Sequence, residues 1–326
     1  MRDSAWRGLT FGIYPGSAVG DIGLAGPPDR PDRINQALDQ LQGTAGRPFV
    51  VRAYDIYTDQ GDTIHAPARR TPAGYDRYVG RGRTLDLVVP YHSRSGDVAG
   101  YCAFIERLIE RHAELLATLQ VGEEPNVTDD PNLDGAYPRV AEALIAGVHA
   151  AKEQARRSGQ PDLSVGCNST PLFGPAAAFF ADLTRAGGER FIGELDYIGL
   201  DFFPDVFRPI APGRLDAAVQ GVLEAHRGDI LGPAGLGHLP IVITEHGWPT
   251  GPGRPAARQA EVVRAVIEVI ARNAQALNIT GYIHHALRDA RSAGSGLFCQ
   301  FGLMTDDYTA KPAFGVYRAL INALSR

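Results

Sequence analysis

The sequence predicts an α/β protein of the TIM (β/α)8 barrel class, built as a single domain over residues 1–326. Eight short apolar runs alternate with longer amphipathic stretches along the chain. The unit repeats about every 40 residues, which suits a barrel of ~250 residues with loop insertions. No low-complexity linker divides the chain, and 44% of its residues are hydrophobic, enough for one large core.

The apolar runs carry Val, Ile and Leu on both faces, which is typical of parallel strands buried on both sides. Most of them are bounded by Gly, Pro, Asn or Asp. In chain order they read LTFGIY, PFVVRAY, LDLVVPYH, LATLQVG, LSVGCNS, LDYIGLDFF, PIVITEHG and ITGYIHHAL. An open doubly wound sheet is the alternative, but YPGSAVGDIG after the first run lacks the spacing of a Gly-rich phosphate turn.

Helical patterns follow most of these runs, and Pro138 is expected in the first turn of one of them. The connections after the second and sixth runs are less regular. Residues 59–84 predict a loop with at most a short helix. The predicted helices cover residues 33–42, 98–116, 138–157, 175–188, 256–277 and 311–325.

Charge and composition exclude several classes of protein. The net charge of −5 and the pI near 6.0 predict no nucleic-acid partner. No apolar run reaches ~18 residues, so no membrane association is expected. The start, MRDSAWRGLT, lacks a basic segment followed by an apolar one, which predicts no signal peptide and a cytoplasmic protein, although a trimmed secreted chain would look the same.

The cysteines give no framework for a disulfide or a zinc site. There are three, Cys102, Cys167 and Cys299, an odd number at wide spacing. We therefore expect no metal and no cofactor. The excess of Arg over Lys, with much Ala and Gly, indicates a GC-rich and bacterial genome, and the oligomeric state is left open.

Acidic side chains stand at the ends of two predicted strands that face each other across a barrel. Glu123 and Glu124 end the fourth strand, and Glu245 ends the seventh. Barrel enzymes carry their chemistry at the carboxyl ends of the strands. Glycoside hydrolysis needs two carboxyl groups that flank one bond, which is the layout these positions predict.

The same segments carry a resemblance. VGEEPN followed by ITEHGWP is similar to the strand-4 and strand-7 signatures of clan A glycoside hydrolases, the retaining barrel enzymes that include β-glucanases and β-xylosidases. The end, ALRDA with FGLMTDDYTAKPAF, resembles their strand-8 region. The resemblance covers essentially the whole chain and implies a retaining β-glycosidase acting on a carbohydrate. It implies Glu124, directly before Pro-Asn, as acid/base and Glu245 as nucleophile.

Glu123 departs from this family, which usually has Asn at that position. A carboxylate only accepts hydrogen bonds, so Glu123 is expected to select a donor at C2 of the sugar, a hydroxyl or the ammonium of a 2-amino sugar. A tolerated variant is the alternative. Neighbours in a flat strand point to opposite faces, so both glutamates reach one pocket only if the strand end is twisted or bulged.

Three further positions are candidates for substrate binding. The resemblance implies that Arg52 holds Glu245 ionised, although Asp55 or another acid is an alternative partner. His92 resembles a pocket histidine of some families, with a core histidine as the alternative. Asn168 ends the fifth strand and is expected either to bind a sugar hydroxyl or to cap a loop.

Aromatic and histidine positions complete the predicted site. Trp248 is a candidate for stacking on a sugar, with packing under its loop as the alternative. His284 or His285 stands where the family often has a Trp, and we take His284 as the binding candidate, expecting one to face the pocket and the other the helices. The two histidines lack a carboxylate at ligand spacing, so no metal is predicted.

Phe203 stands where the family often has a Tyr that contacts the nucleophile. The role then falls to Tyr14, Tyr54 or Tyr91. These departures motivate one alternative function, a decayed barrel that binds carbohydrate without turnover. A transglycosidase would use the same residues. An aldolase or isomerase is less favoured because both lysines lie in helical stretches.

Overall fold

The computed structural model describes residues 8–17, 26–59 and 70–325 and confirms the predicted TIM barrel. Eight parallel strands form the barrel, which closes because β1 pairs with both β8 and β2. The strands are β1 Thr10–Ile13, β2 Phe49–Asp55, β3 Arg83–Val89, β4 Leu116–Val121, β5 Ser164–Ser169, β6 Tyr197–Asp201, β7 Ile241–His246 and β8 Ile279–His284.

Helices cover the outside of the barrel. They are α1 Pro31–Gln42, α2 Val98–His112, α3 Val140–Arg157, α4 Phe179–Glu194, α5 Leu215–Ala225, α6 Ala256–Asn273 and α7 Pro312–Leu324. Their apolar faces pack on the strands in one continuous core. No helix in the described ranges is both long and apolar enough to span a membrane.

Most predicted elements lie where the sequence placed them, and the differences have local causes. Pro138 precedes α3, which begins at Val140 after Arg139 adopts a left-handed φ of 61°. Gly188 interrupts α4 with φ 65° and ψ −167°, yet the helix resumes beyond it. Between β2 and β3 the described residues hold two short strands, Tyr57–Thr58 and Arg70–Thr71, and their one helix is the expected short one, the 3-10 helix Tyr75–Tyr78.

The sixth connection is more regular than its sequence indicated. α5 begins at Leu215 and continues without a break into a wider π-type turn at His226–Leu231. Its buried residues are Leu215, Val219 and Leu223, at helical spacing. A loop precedes α5, and the stretch with helical spacing is short. The sequence therefore did not predict this helix.

Candidate active site

A pocket of about 670 Å³ lies at the carboxyl ends of the barrel strands. Most of its polar lining comes from residues at or just beyond the ends of β3 to β8. These are His92, Glu123, Glu124, Thr170, Asp201, Glu245 and His285. The two glutamates predicted to react therefore share one pocket.

Glu245 is held by three neighbours. The Tyr54 hydroxyl donates a hydrogen bond to its Oε1. The Nε of Arg52 lies 3.8 Å from the same oxygen, and Nδ1 of His285 lies 3.5 Å from Oε2. Burial lowers the pKa of His285, opposed by the Glu245 charge. Tyr54 and Arg52 therefore fix the position of the Glu245 carboxylate from the side of its Oε1.

Arg52 is fully buried and serves several acids at once. Its Nη1 donates to Asp86 at 2.6 Å, and its Nη2 donates to Gln120 at 3.0 Å and to Glu123 at 3.4 Å. Its strongest pair is therefore with Asp86, and Glu245 is a more distant partner. A buried guanidinium with this many acceptors fixes the positions of the carboxylates around it.

The chain turns sharply after β4, and this turn brings both glutamates into the pocket. Gly122 and Glu124 adopt left-handed φ values of 82° and 43°. Asp134 holds the turn by accepting from the backbone N–H of Glu123 at 2.8 Å, and the Asn168 side chain accepts from that of Glu124 at 2.9 Å. The end of β4 is therefore twisted, which is the condition under which both adjacent glutamates can reach one pocket.

Gly122 is expected to be required for this turn. A Cβ there would meet Leu144 Cδ2 at 2.5 Å and Asp134 Oδ2 at 3.0 Å, in addition to the strained φ. We expect Gly122→Ala to lower the free energy of unfolding by about 2–4 kcal/mol. Gly159→Ala is the matched control, because Gly159 has φ 70° with nothing within 4 Å. Equal losses for the two variants in chemical denaturation would contradict the steric argument.

Glu123, Glu124 and Asp201 form a carboxyl cluster. Oxygens of the three lie within 4.8 Å of one another. Burial raises the pKa of both glutamates well above the ordinary value, and the charges of Asp201 and Glu245 add to the effect. Burial, with the charge of Glu245, also raises the pKa of Asp201 to about 7. The cluster cannot be fully ionised beside one guanidinium, so it holds protons at neutral pH.

The cluster is fixed by neutral donors. Asn168 donates to Asp201 at 2.5 Å, and Thr244 donates to its other oxygen at 2.6 Å. Gln120 donates to Glu123 at 2.6 Å. Three carboxyl groups at this spacing offer oxygen ligands of the kind that divalent cations prefer, and they equally serve to share protons.

Asp201 is expected to set the pH at which Glu124 loses its proton. Asp201→Asn removes a neighbouring negative charge and should lower the pKa of Glu124. The basic limb of the kcat/KM profile should therefore move to lower pH. Asp130→Asn is the control, since the half-exposed Asp130 is a weaker cause of the same shift. An unmoved basic limb in Asp201→Asn would contradict this coupling.

Comparison with known structures finds the same barrel fold in several proteins. The structure is similar to a GH5_18 protein from Bifidobacterium longum subsp. infantis, with 14% identity, a TM-score of 0.69 and coverage of 98% of this chain and 80% of the other. This chain shares its (β/α)8 barrel fold with that GH5_18 protein. No protein-family model matches the chain, and no curated protein sequence does.

Two other structures share the same barrel fold. A β-glucosidase designated 1317 has 16% identity and a TM-score of 0.59, over 90% of this chain and 88% of its own. A GH5_18 protein from Streptomyces cattleya, in complex with GlcNAc, has 13% identity and a TM-score of 0.60, over 98% and 80%. At such identities the likeness establishes the fold, and the activity rests on the site.

Within the barrel, several predicted binding residues lie beneath the pocket. Arg52 and Asn168 are fully buried, and each holds carboxylates as described above. Trp248 is 4% exposed and donates to the carbonyl of Asp205 at 3.2 Å, so it packs under its loop. Glu123 and His92 do line the pocket. His92 stacks on Tyr137, with ring centroids 4.8 Å apart.

The choice of His284 as the pocket histidine is corrected by the structure. His284 is fully buried and packs against Tyr317 of α7, with ring centroids 5.2 Å apart. Strand alternation sends its neighbour His285 the other way, to the pocket wall. Of the three candidate tyrosines, Tyr54 contacts Glu245, so Phe203 does not leave this glutamate without a tyrosine.

Sequence reasoning missed several residues of the site. Asp201 ends β6 but was not predicted as a site residue, and neither were Asp86, Gln120 and Asp134. Each lies on a strand or loop as a polar residue within apolar surroundings, and buried polar groups need partners. That signal marks Asp86 and Gln120, which lie inside β3 and β4.

Proposed function

We propose that this protein is a retaining β-glycosidase, with Glu245 as nucleophile and Glu124 as acid/base. The observation that carries the proposal is the asymmetry of the two glutamates in one pocket. Glu245 lies beside a guanidinium and accepts from a phenol, while Glu124 lies in an acidic cluster that raises its pKa. A general acid must hold a proton, and the burial of Glu124 among acids favours that state, while the guanidinium and the phenol fix the orientation of the Glu245 carboxylate for attack.

The reaction follows from these states. The Glu245 carboxylate attacks the anomeric carbon, the bond to the leaving oxygen breaks, and the Glu124 proton moves to that oxygen. Water then attacks the same carbon, Glu124 takes a proton from it, and the bond to Glu245 breaks. Two inversions give net retention, and no other reactant is required.

Glu123 is proposed to recognise the C2 substituent. It lines the pocket beside Glu124, and Gln120 and Arg52 already donate to its Oε2. At the pocket surface this carboxyl group can also accept from a donor on the sugar. GlcNAc, the ligand of the Streptomyces cattleya barrel, carries such a donor, the N–H of its C2 amide. If Glu123→Asn improves turnover of 2-hydroxy sugars without altering selectivity, this role is excluded.

The test is hydrolysis of a panel of aryl β-glycosides that includes 2-amino and 2-acetamido sugars. Proton NMR of the first-formed sugar should show the β anomer. An α anomer would exclude a covalent intermediate on Glu245. Binding of oligosaccharides without any turnover would instead favour a carbohydrate-binding protein, and transfer to added alcohols in place of water would favour a transglycosidase.

A further inference from the structure

One side of the pocket is built from phenylalanine rings in an unbroken series. We call Phe203, Phe207, Phe298 and Phe301 the phenylalanine wall. Phe301 lies 5.8 Å from Phe203 and 5.9 Å from Phe298 between ring centroids. Phe207 closes the series at 6.0 Å from Phe203 and 6.2 Å from Phe298. All four line the pocket.

The wall begins at the reacting carboxylate and ends in solvent. His285, which lies beside Glu245, is 6.2 Å from Phe203 and 5.8 Å from Phe301 between ring centroids. Phe301 is 3% exposed, whereas Phe298 is 49% and Phe207 58% exposed. A molecule bound to Glu245 can therefore extend along rings from the barrel mouth to the surface.

The exposed part of the wall is unusual for this chain. In the described ranges, the large hydrophobic side chains that stand out as exposed are Phe173, Phe207 and Phe298, and all three line this pocket. Scattered exposed apolar residues need no explanation, but a cluster at one cleft marks a binding surface. Keeping these rings in water is unfavourable unless a ligand covers them.

The chemistry of the wall argues against a second sugar as its occupant. Phenylalanine has no polar atom, whereas sugar hydroxyls need partners once they leave water. Polar residues line the pocket elsewhere, including Asp130, Asn132 and Thr170 near the β4 and β5 ends. The acidic residues at the strand ends can thus bind one sugar, and the phenylalanine wall can bind an apolar group attached to that sugar.

Resting on the proposed glycosidase activity, we infer that the phenylalanine wall binds an apolar aglycone, an alkyl or arylalkyl alcohol joined to the sugar. The enzyme should therefore prefer glycosides of hydrophobic alcohols to oligosaccharides. The wall would shield the aglycone from water while Glu124 protonates its oxygen.

The test compares methyl and octyl β-glycosides of the sugar that the panel identifies, below the micelle concentration. Their leaving groups have similar acidity, so the ratio of kcat/KM reports binding of the chain. Burial of a few methylenes should give a ratio of about 10 to 100. The double variant Phe207→Ser/Phe298→Ser should bring it near one. Phe179→Ser, at the start of α4 and outside the pocket lining, should keep it.

The outcomes separate the two proposals. Equal turnover of methyl and octyl glycosides, or a preference for oligosaccharides, overturns the wall inference and leaves the glycosidase standing. If no glycoside is hydrolysed, the glycosidase fails, and calorimetry with octyl β-glucoside decides the wall. Binding that the double variant loses supports an apolar site, and no binding overturns both.

Discussion

Substitution of Glu245 by Gln is expected to lower kcat/KM by about 10⁴-fold or more for every glycoside that the wild type cleaves. The amide is neutral, so it neither attacks the anomeric carbon nor stabilises the positive charge that develops there. The amide is close in size to the carboxylate, and Tyr54 can still donate to its oxygen. The measurement is steady-state hydrolysis, with circular dichroism to establish that the variant is folded.

A second variant tests whether Glu245 acts as the nucleophile, and not only whether it is required for turnover. Glu245→Ala leaves a space below the anomeric carbon that a small anion such as azide can enter. Azide should restore turnover of activated aryl glycosides and yield a glycosyl azide of inverted configuration. A product of retained configuration would place the nucleophile elsewhere and assign Glu245 to acid/base work.

The barrel was predictable because its strands leave a strong signal. A run such as PIVITEHG is apolar on both faces, and only burial on both sides explains this composition. Glu245 then stands out as an acid at the end of such a run. The sequence therefore reveals a residue of the candidate site where an acidic residue interrupts a buried strand.

Interactions between distant segments left no such signal. Asp201, Glu123 and Glu124 come together only because β4 and β6 lie on either side of β5, and the sequence alone does not give the resulting pKa values. Phe207 lies in a loop and Phe298 in a short 3-10 helix, 91 residues apart, where a phenylalanine has no periodic context. Their common wall is a product of tertiary structure.

Glu124→Gln is the prediction that separates the two adjacent glutamates. Without its acid, the enzyme should lose about 10³-fold or more in kcat/KM for methyl glycosides, whose leaving group must be protonated. Dinitrophenyl glycosides need no such help in the first step and should form the glycosyl-enzyme at nearly the wild-type rate. The loss should therefore grow with the pKa of the leaving group, measured as the burst rate across a series of aryl and alkyl glycosides.

Glu123→Gln is the matched control for this series. Glu123 is buried, and its Oε2 accepts from Gln120 and lies 3.4 Å from Arg52. Glu124 is half-buried and lines the pocket, where a leaving oxygen can reach it. The Glu123 variant should therefore lose activity evenly across leaving groups, because it alters sugar binding. A steep dependence on the leaving group in Glu123→Gln and a flat one in Glu124→Gln would reverse the assignment. Glu123, beside Arg52, would then be the acid, and the half-buried Glu124 would bind the sugar.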